Sequence, residues 1–263
     1  MSYDKNKVIE IAKSEIGYLE KKNGDLKYLF DKKANAGDAN YTKFGYEMHK
    51  IYPSVMDYPA YWCDSFVDWC FMKAYGVSNA KALLGGDFDD YTVASAQLYK
   101  NKKAWYSIPE VGDQVFFKNS TRICHTGLVA AVDVAKRRFA AAEGNTSDGS
   151  EVIRNGGAVC LKWYDFDNPR IAGFGSPAYG KQHSFTPHWE KAEDKWYYRV
   201  AQGENAHGWK IINGHWYYFN LSGQMLIGIQ EIGGKHYYLT ESGEFEGACC
   251  RTDESGALVV WDV

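Results

Sequence analysis

The chain has 263 residues, 45% of them hydrophobic and 24% charged, with a formal charge of −3. That is enough apolar material for one large domain or two modest ones, and the slight negative charge excludes a general nucleic-acid binder. No apolar run is long enough to span a membrane and residues 1–7 lack the apolar core of a signal peptide, so a product made in the cytoplasm is expected.

Residues 4–18 read as an amphipathic helix, with Val8, Ile11, Ala12 and Ile16 on one face. Leu26, Leu29 and Phe30 suggest a second, short helix. Residues 35–40 are turn-forming throughout. Asp38 and Asn40 there are either oxygen donors for calcium or ordinary loop residues. Residues 41–52 form a further helix, ended by Pro53.

Proline disfavours helix in the residue before it, so the next helix starts after Pro59. Counted from Cys63, apolar residues recur at Phe66, Val67, Cys70, Phe71 and Ala74, which make one buried face, and Gly76 is the stop. Cys63 then lies in the first turn, where unpaired N–H groups and the helix dipole favour a thiolate. Two readings of Cys63 stand: a nucleophile, or a small buried hydrophobe.

Residues 78–84 read as a short helix with Ser78 as N-cap. In the loop at 85–90, Asp87, Asp89 and Asp90 either hold a metal or face solvent. Residues 92–103 are helical, carrying Val93, Ala96, Leu98 and Tyr99. After Pro109 come short apolar runs at 115–117, 128–132, 139–142, 158–161 and 171–174, separated by turn residues. They predict a meander of mostly antiparallel strands, and helices followed by strands make an α+β domain.

Residues 179–191 read as a linker between a domain at 1–178 and a module at 192–263. In that module Trp196-Tyr197-Tyr198, Trp216-Tyr217-Tyr218 and His236-Tyr237-Tyr238 step by 20 residues, as do Gly203, Gly223 and Gly243. A fixed period near 20, with Asn213-Gly214 and Gly233-Gly234 between aromatic strands, predicts stacked β-hairpins. Strand alternation places Trp216 and Tyr218 on one face and Tyr217 on the other. Trp209, or an aromatic of the next repeat such as Tyr238, is expected beside the Trp216 face.

The six cysteines (63, 70, 124, 160, 249 and 250) have neither CxxC spacing nor a disulfide framework. A zinc site on Cys124 and His125 lacks a third ligand at the right spacing. His125 opens one strand and Glu143 closes the next, so antiparallel pairing can bring them together. With Cys63 they form a nucleophile–base–orienter set. Asn145, two residues on, shares the Glu143 face if the strand continues. Separately, each has a plainer reading as a structural or solvated residue.

Four stretches carry a resemblance: Trp62-Cys63-Asp64-Ser65-Phe66-Val67, Gly112-Asp113-Gln114-Val115-Phe116-Phe117, His125-Thr126-Gly127-Leu128-Val129 and Glu143-Gly144-Asn145-Thr146. With them residues 10–175 resemble a CHAP domain, the cysteine/histidine-dependent amidohydrolase/peptidase branch related to NlpC/P60 and papain-like folds. The resemblance implies helices packed on an antiparallel sheet, Cys63 as nucleophile, His125 as base, Glu143 orienting the imidazole and Asn145 as a fourth, polar member. It implies no cofactor. Some relatives carry an acidic calcium loop before the cysteine, but residues 52–62 hold only Asp57, so no metal is expected.

Gly208-Trp209 followed by Gly214-His215-Trp216-Tyr217-Tyr218 resembles choline-binding and related wall-binding repeats. That resemblance implies Trp196, Trp209, Trp216, Tyr218 and Tyr238 as ligand-binding rings for a quaternary ammonium group. From residue 190 onward there are six Lys/Arg against eleven Asp/Glu, and before it 24 against 22, which suits a cationic ligand on the module. The repeats depart from pattern at Gly228-Ile229, Gly247-Ala248 and His236. Together the two resemblances imply a peptidoglycan hydrolase of the phage-endolysin type, released to act on the wall at lysis. It would be an N-acetylmuramoyl-L-alanine amidase or a peptidoglycan endopeptidase. The implied partners are peptidoglycan and choline-bearing teichoic acid or another wall glycan, without nucleic acid or membrane. The alternative is a non-catalytic wall-binding protein on an inactive CHAP fold.

Overall fold

Short polar side chains start three of the helices. Asp4 accepts the Asn6 amide ahead of α1 (Lys5–Ser14), Asp25 the Lys27 amide ahead of α2 (Leu26–Leu29), and Thr42 the Gly45 amide ahead of α3 (Lys43–Ile51). The helix α4 (Cys63–Tyr75) has no side-chain cap, which leaves its first turn of N–H groups without a competing side chain. Gly76, at φ 77°, ends α4 and directly precedes α5 (Val77–Leu83). Ser78 therefore lies inside α5 rather than capping it. Helix α6 (Thr92–Asn101) completes the set.

The computed structural model describes residues 3–147, 157–180, 187–201, 204–252 and 258–261, and the chain divides into units Met1–His183 and Ser184–Val263. In the first, six antiparallel strands follow the helices: β1 (Trp105–Tyr106), β2 (Gln114–Lys118), β3 (Ile123–Asp133), β4 (Arg138–Thr146), β5 (Ala158–Asp165) and β6 (Ile171–Gly175). Their spatial order is β1-β6-β2-β3-β4-β5. Only β1, two residues long, has no counterpart in the apolar runs of the sequence. Phe116, Leu128, Ala130 and Ala142 pack on one face with Val8, Phe66, Val67 and Phe71 of the helices. Val115, Phe117, Val129, Phe139, Ala141 and Phe174 form a second core on the other face. Burial on both faces explains why these strands read as continuous apolar runs rather than alternating ones. Helix α4 packs across β3 and β4.

The second unit is a series of hairpins: β7 (His188–Ala192) with β8 (Lys195–Ala201) and β9 (Glu204–Asn205), β10 (Gly208–Ile212) with β11 (His215–Phe219), β12 (Gly228–Ile232) with β13 (Lys235–Leu239), and β14 (Cys250–Thr252) with β15 (Leu258–Val260). The tight turns are Glu193-Asp194, Asn213-Gly214 and Gly233-Gly234, each with both residues at positive φ. That conformation matches the strand twist and favours Asn, Asp and Gly. Strand β7 lies inside the segment expected to be a linker. Trp189 pairs opposite Tyr198, so the first hairpin begins one strand earlier than the sequence reading placed it. Residues 181–186 of that segment lie outside the described residues. Isolated bridges tie Tyr197, Phe219 and Leu239 to Gln224, Met225 and Cys249, which lie in the segments connecting the hairpins.

Candidate functional site

Cys63 is the first residue of α4 and is 7% exposed. The next residue, Asp64, is fully buried and turns away into the core. There Ser95 Oγ donates to it at 2.6 Å and Gln114 Nε2 at 2.9 Å. Burial raises the Asp64 carboxyl to about 7 against those two hydrogen bonds. Trp62, on the other side of Cys63, donates its indole N–H to Glu20 Oε2 at 2.9 Å. The cysteine is thus held between two anchored neighbours. Cys70, two turns further along, is a different case: burial pushes its thiol well up and leaves it inert.

His125 is the third residue of β3, and Glu143 lies three residues before the end of β4. The sequence reading put both at strand ends. His125 pairs opposite Phe117 and stacks on that ring at 5.7 Å. The imidazole Nε2–H donates to Glu143 Oε2 at 2.8 Å, and the ring is also hydrogen-bonded to Cys63. With Nε2 engaged by the carboxylate, Nδ1 is the nitrogen left for the thiol. Burial alone would lower the imidazole pKa, but the hydrogen bonds to Cys63 and Glu143, and the charges of both, raise it to about 10. The ring is therefore an imidazolium at neutral pH, with the Glu143 carboxylate accepting from it.

Two glycines of the motifs are required by space. A methyl group on Gly127 would lie 2.7 Å from Glu143 Cγ and 2.9 Å from the Ala142 carbonyl oxygen. One on Gly144 would lie 2.6 Å from Phe66 Cβ and 2.8 Å from the Trp62 ring. The first glycine leaves room for Glu143 to reach His125, and the second lets the start of α4 sit against β4. Asn145 departs from expectation. It takes φ 53°, and the register shifts between Glu143 and Thr146, so strict alternation does not carry across this bulge. The structure brings together Cys63, His125 and Glu143, with Asn145 in the bend that follows.

Among the described residues no group of three or more His, Cys, Asp or Glu is placed to hold a metal ion. The loop acids are engaged by the protein: Asp87 pairs with Lys81 at 2.6 Å, Asp90 accepts the Asp57 amide at 2.8 Å, and Asp89 accepts the Tyr91 amide at 2.9 Å.

In the hairpin unit Trp189, Trp196, Tyr217 and Met225, with Gly243, Glu244 and Glu246, line a cavity of about 230 Å³. Trp189 lies 6.3 Å from Trp196 and 4.9 Å from Tyr217, centroid to centroid. Twenty residues on, the same spacings recur: Trp209 lies 6.1 Å from Trp216 and 4.9 Å from Tyr237. The Cys249 amide donates to the Trp216 carbonyl as the Met225 amide does to that of Trp196, so Cys249 takes Met225's place in the second set. Tyr218 packs on Trp209 at 5.1 Å, on the face it shares with Trp216. From the next hairpin it is Tyr237, not Tyr238, that meets Trp209. The sequence reading missed Trp189, Tyr217, Tyr237 and Met225. The period of 20 carried back from Trp209 points to Trp189.

The first unit thus carries a cysteine at a helix start with a histidine and a glutamate on adjacent strands, and the second carries aromatic hairpin repeats. The family models name both parts. The CHAP domain model matches residues 54–145 and the choline-binding repeat model residues 206–245. The chain carries a CHAP domain followed by choline-binding repeats, and in general terms it is a cell-wall hydrolase.

Among solved structures, the choline binding domain of a Streptococcus pneumoniae protein is 32% identical over 26% of this chain and 98% of its own, with a TM-score of 0.23. The modular Cpl-1 endolysin complexed with a peptidoglycan analogue is 29% identical over 28% of this chain, with a TM-score of 0.22, and the match spans 24% of that endolysin. Choline binding protein F from Streptococcus pneumoniae is 19% identical over 59% of this chain and 64% of its own, with a TM-score of 0.23. No curated protein matches the chain.

Proposed function

We propose that this chain hydrolyses an amide bond of peptidoglycan with Cys63 as nucleophile, while its repeats hold it on the wall through quaternary ammonium groups. The observation that carries the catalytic half is the His125 ring, held by the buried Glu143 carboxylate and interacting with the Cys63 thiol. An imidazolium held by a carboxylate is the partner a thiolate needs, and the first turn of α4 adds N–H groups and a favourable dipole.

The Cys63 thiolate attacks the carbonyl carbon, forming a C–S bond. As the C–N bond breaks, the His125 imidazolium gives its proton to the departing amine. The neutral imidazole then takes a proton from water, and the hydroxide oxygen attacks the thioester. The Cys63 thiolate leaves and the new carboxyl is released. Glu143 keeps the ring oriented and stabilises its charged form. The amide is either the N-acetylmuramoyl-L-alanine bond or a peptide bond of the stem or cross-bridge.

The binding half rests on the cavity walled by Trp189, Trp196 and Tyr217 and on the same ring arrangement 20 residues later. Three aromatic faces suit a trimethylammonium group, and Glu244 and Glu246 at the first cavity add negative charge. Several weak sites on one chain, meeting a polymer with many choline groups, bind tightly through effective concentration. Choline-bearing teichoic acid is the proposed anchor. The test of the whole reading separates its halves. Cys63→Ala should lose clearing of purified walls while still sedimenting with them, and millimolar choline should release it. Clearing by Cys63→Ala would overturn the catalytic half, and choline-insensitive retention the binding half.

A further inference from the structure

The bulge after Glu143 is spanned from β5. Lys162 pairs opposite Ala141, two residues before Glu143, and its side chain shares the Glu143 face. Its Nζ lies 4.0 Å from Glu143 Oε2, the same oxygen that receives the His125 proton donor at 2.8 Å. The ammonium is held there because it also donates to Thr146 Oγ1 at 2.5 Å, on the far side of the bulge. Glu143 thus lies between two cationic partners, His125 and Lys162, and the second is a cation that the three-residue mechanism does not use. Glu143 is 1% exposed and the Lys162 side chain 29%, so this pairing is only partly screened by water.

We propose that Lys162 is a positioning residue acting through Glu143: it takes a share of the carboxylate's charge and so limits how firmly His125 holds its proton. An imidazolium stabilised without limit would be a poor acid toward the leaving amine, because acid catalysis weakens as the donor's pKa climbs above the working pH. Thr146 fixes the ammonium where it can do this. The inference rests on the proposed Cys63–His125–Glu143 reading. The titratable and charged groups on the same side are Cys63 from α4, Glu143 from β4, Cys160, Lys162 and Tyr164 from β5, and Arg170 beyond it. Tyr164 is drawn on by Glu143 as well, but as a neutral phenol it contributes no charge at working pH.

The test is an NMR titration of the His125 ring in the full-length protein, alongside the pH profile of wall clearing. Lys162→Met should raise the His125 pKa, and with it the alkaline limb, by about half a unit to one unit. Lys162→Arg should restore the wild-type value. Thr146→Val, which keeps the charge but frees it, should shift the pKa in the same direction by less. Melting curves identify any variant that has lost its fold, and Lys162→Gln stands in for Lys162→Met if that one does. A purely structural lysine would lower the melting temperature and leave the titration unmoved, which would overturn the proposal, as would a shift downward. The titration needs no turnover. Wall clearing by Cys63→Ala would instead overturn the reading beneath it.

Discussion

In the proposed mechanism His125 carries the proton, because its ring interacts with both Glu143 and Cys63. With the imidazole raised to about 10, the proton needed by the leaving amine is present throughout the neutral range and is lost only as the pH passes that value. Wall clearing should therefore hold to about pH 9 and fall on an alkaline limb near 10. Glu143→Gln keeps an acceptor on Nε2 but removes the charge, so the limb should move down toward the ordinary histidine value near 6.5, with a partial loss of rate. Glu143→Ala should lose more, up to the roughly 10²–10⁴-fold of a positioned acid–base group. An unchanged profile in both variants would remove Glu143 from the mechanism. Helix start and strand order alone leave Cys63, His125 and Glu143 open to plain structural readings, and the resemblance to a CHAP domain is what singles them out. The bend at Asn145 was not legible, because a left-handed asparagine in a strand leaves no periodic mark. Lys162 was not either, because its role depends on a register that only pairing reveals.

At the scale of elements, the site depends on how closely α4 lies on β4. Gly144 is the contact point, with Phe66 and the Trp62 ring where a methyl group would have to go. Gly144→Ala should cost roughly 1–3 kcal/mol of stability through overpacking. It should also weaken the Cys63–His125 contact, since Trp62 directly precedes Cys63. Denaturant unfolding, with iodoacetamide labelling of Cys63 as the local readout, checks both. Unchanged stability would mean that α4 is free to shift outward. The start and stop of α4 were legible because Pro59 and Gly76 act through local backbone preferences. The Ser78 cap failed for the same kind of reason in reverse: Gly76 turns the chain at once from α4 into α5, leaving no room for a separate cap. The strands were legible as apolar runs, but not which face each residue takes, since both faces of the sheet are buried.

At the scale of the whole molecule, the proposed function joins chemistry that needs one buried site to adhesion that needs several weak ones. The repeat period was legible, but the first repeat was cut short, because polar residues around Trp189 resemble a linker until the strand pairing is seen. Trp189 closes the first cavity against Trp196 and Tyr217, so Trp189→Ala should weaken choline binding at that site by roughly 2- to 30-fold, the loss of one cation–π wall of 0.5–2 kcal/mol. Choline titration followed by tryptophan fluorescence measures this, and an unchanged affinity would assign the rings to the hairpin core alone. The central claim, amide hydrolysis through Cys63, is tested most directly by mass spectrometry of purified walls digested with wild-type protein and with Cys63→Ala. Wild-type digests should contain soluble fragments with one new amine and one new carboxyl per cut. Cys63→Ala digests should contain none, although the variant still binds the wall. The same fragments from Cys63→Ala, or wild-type fragments cut in the glycan rather than at an amide, would contradict it.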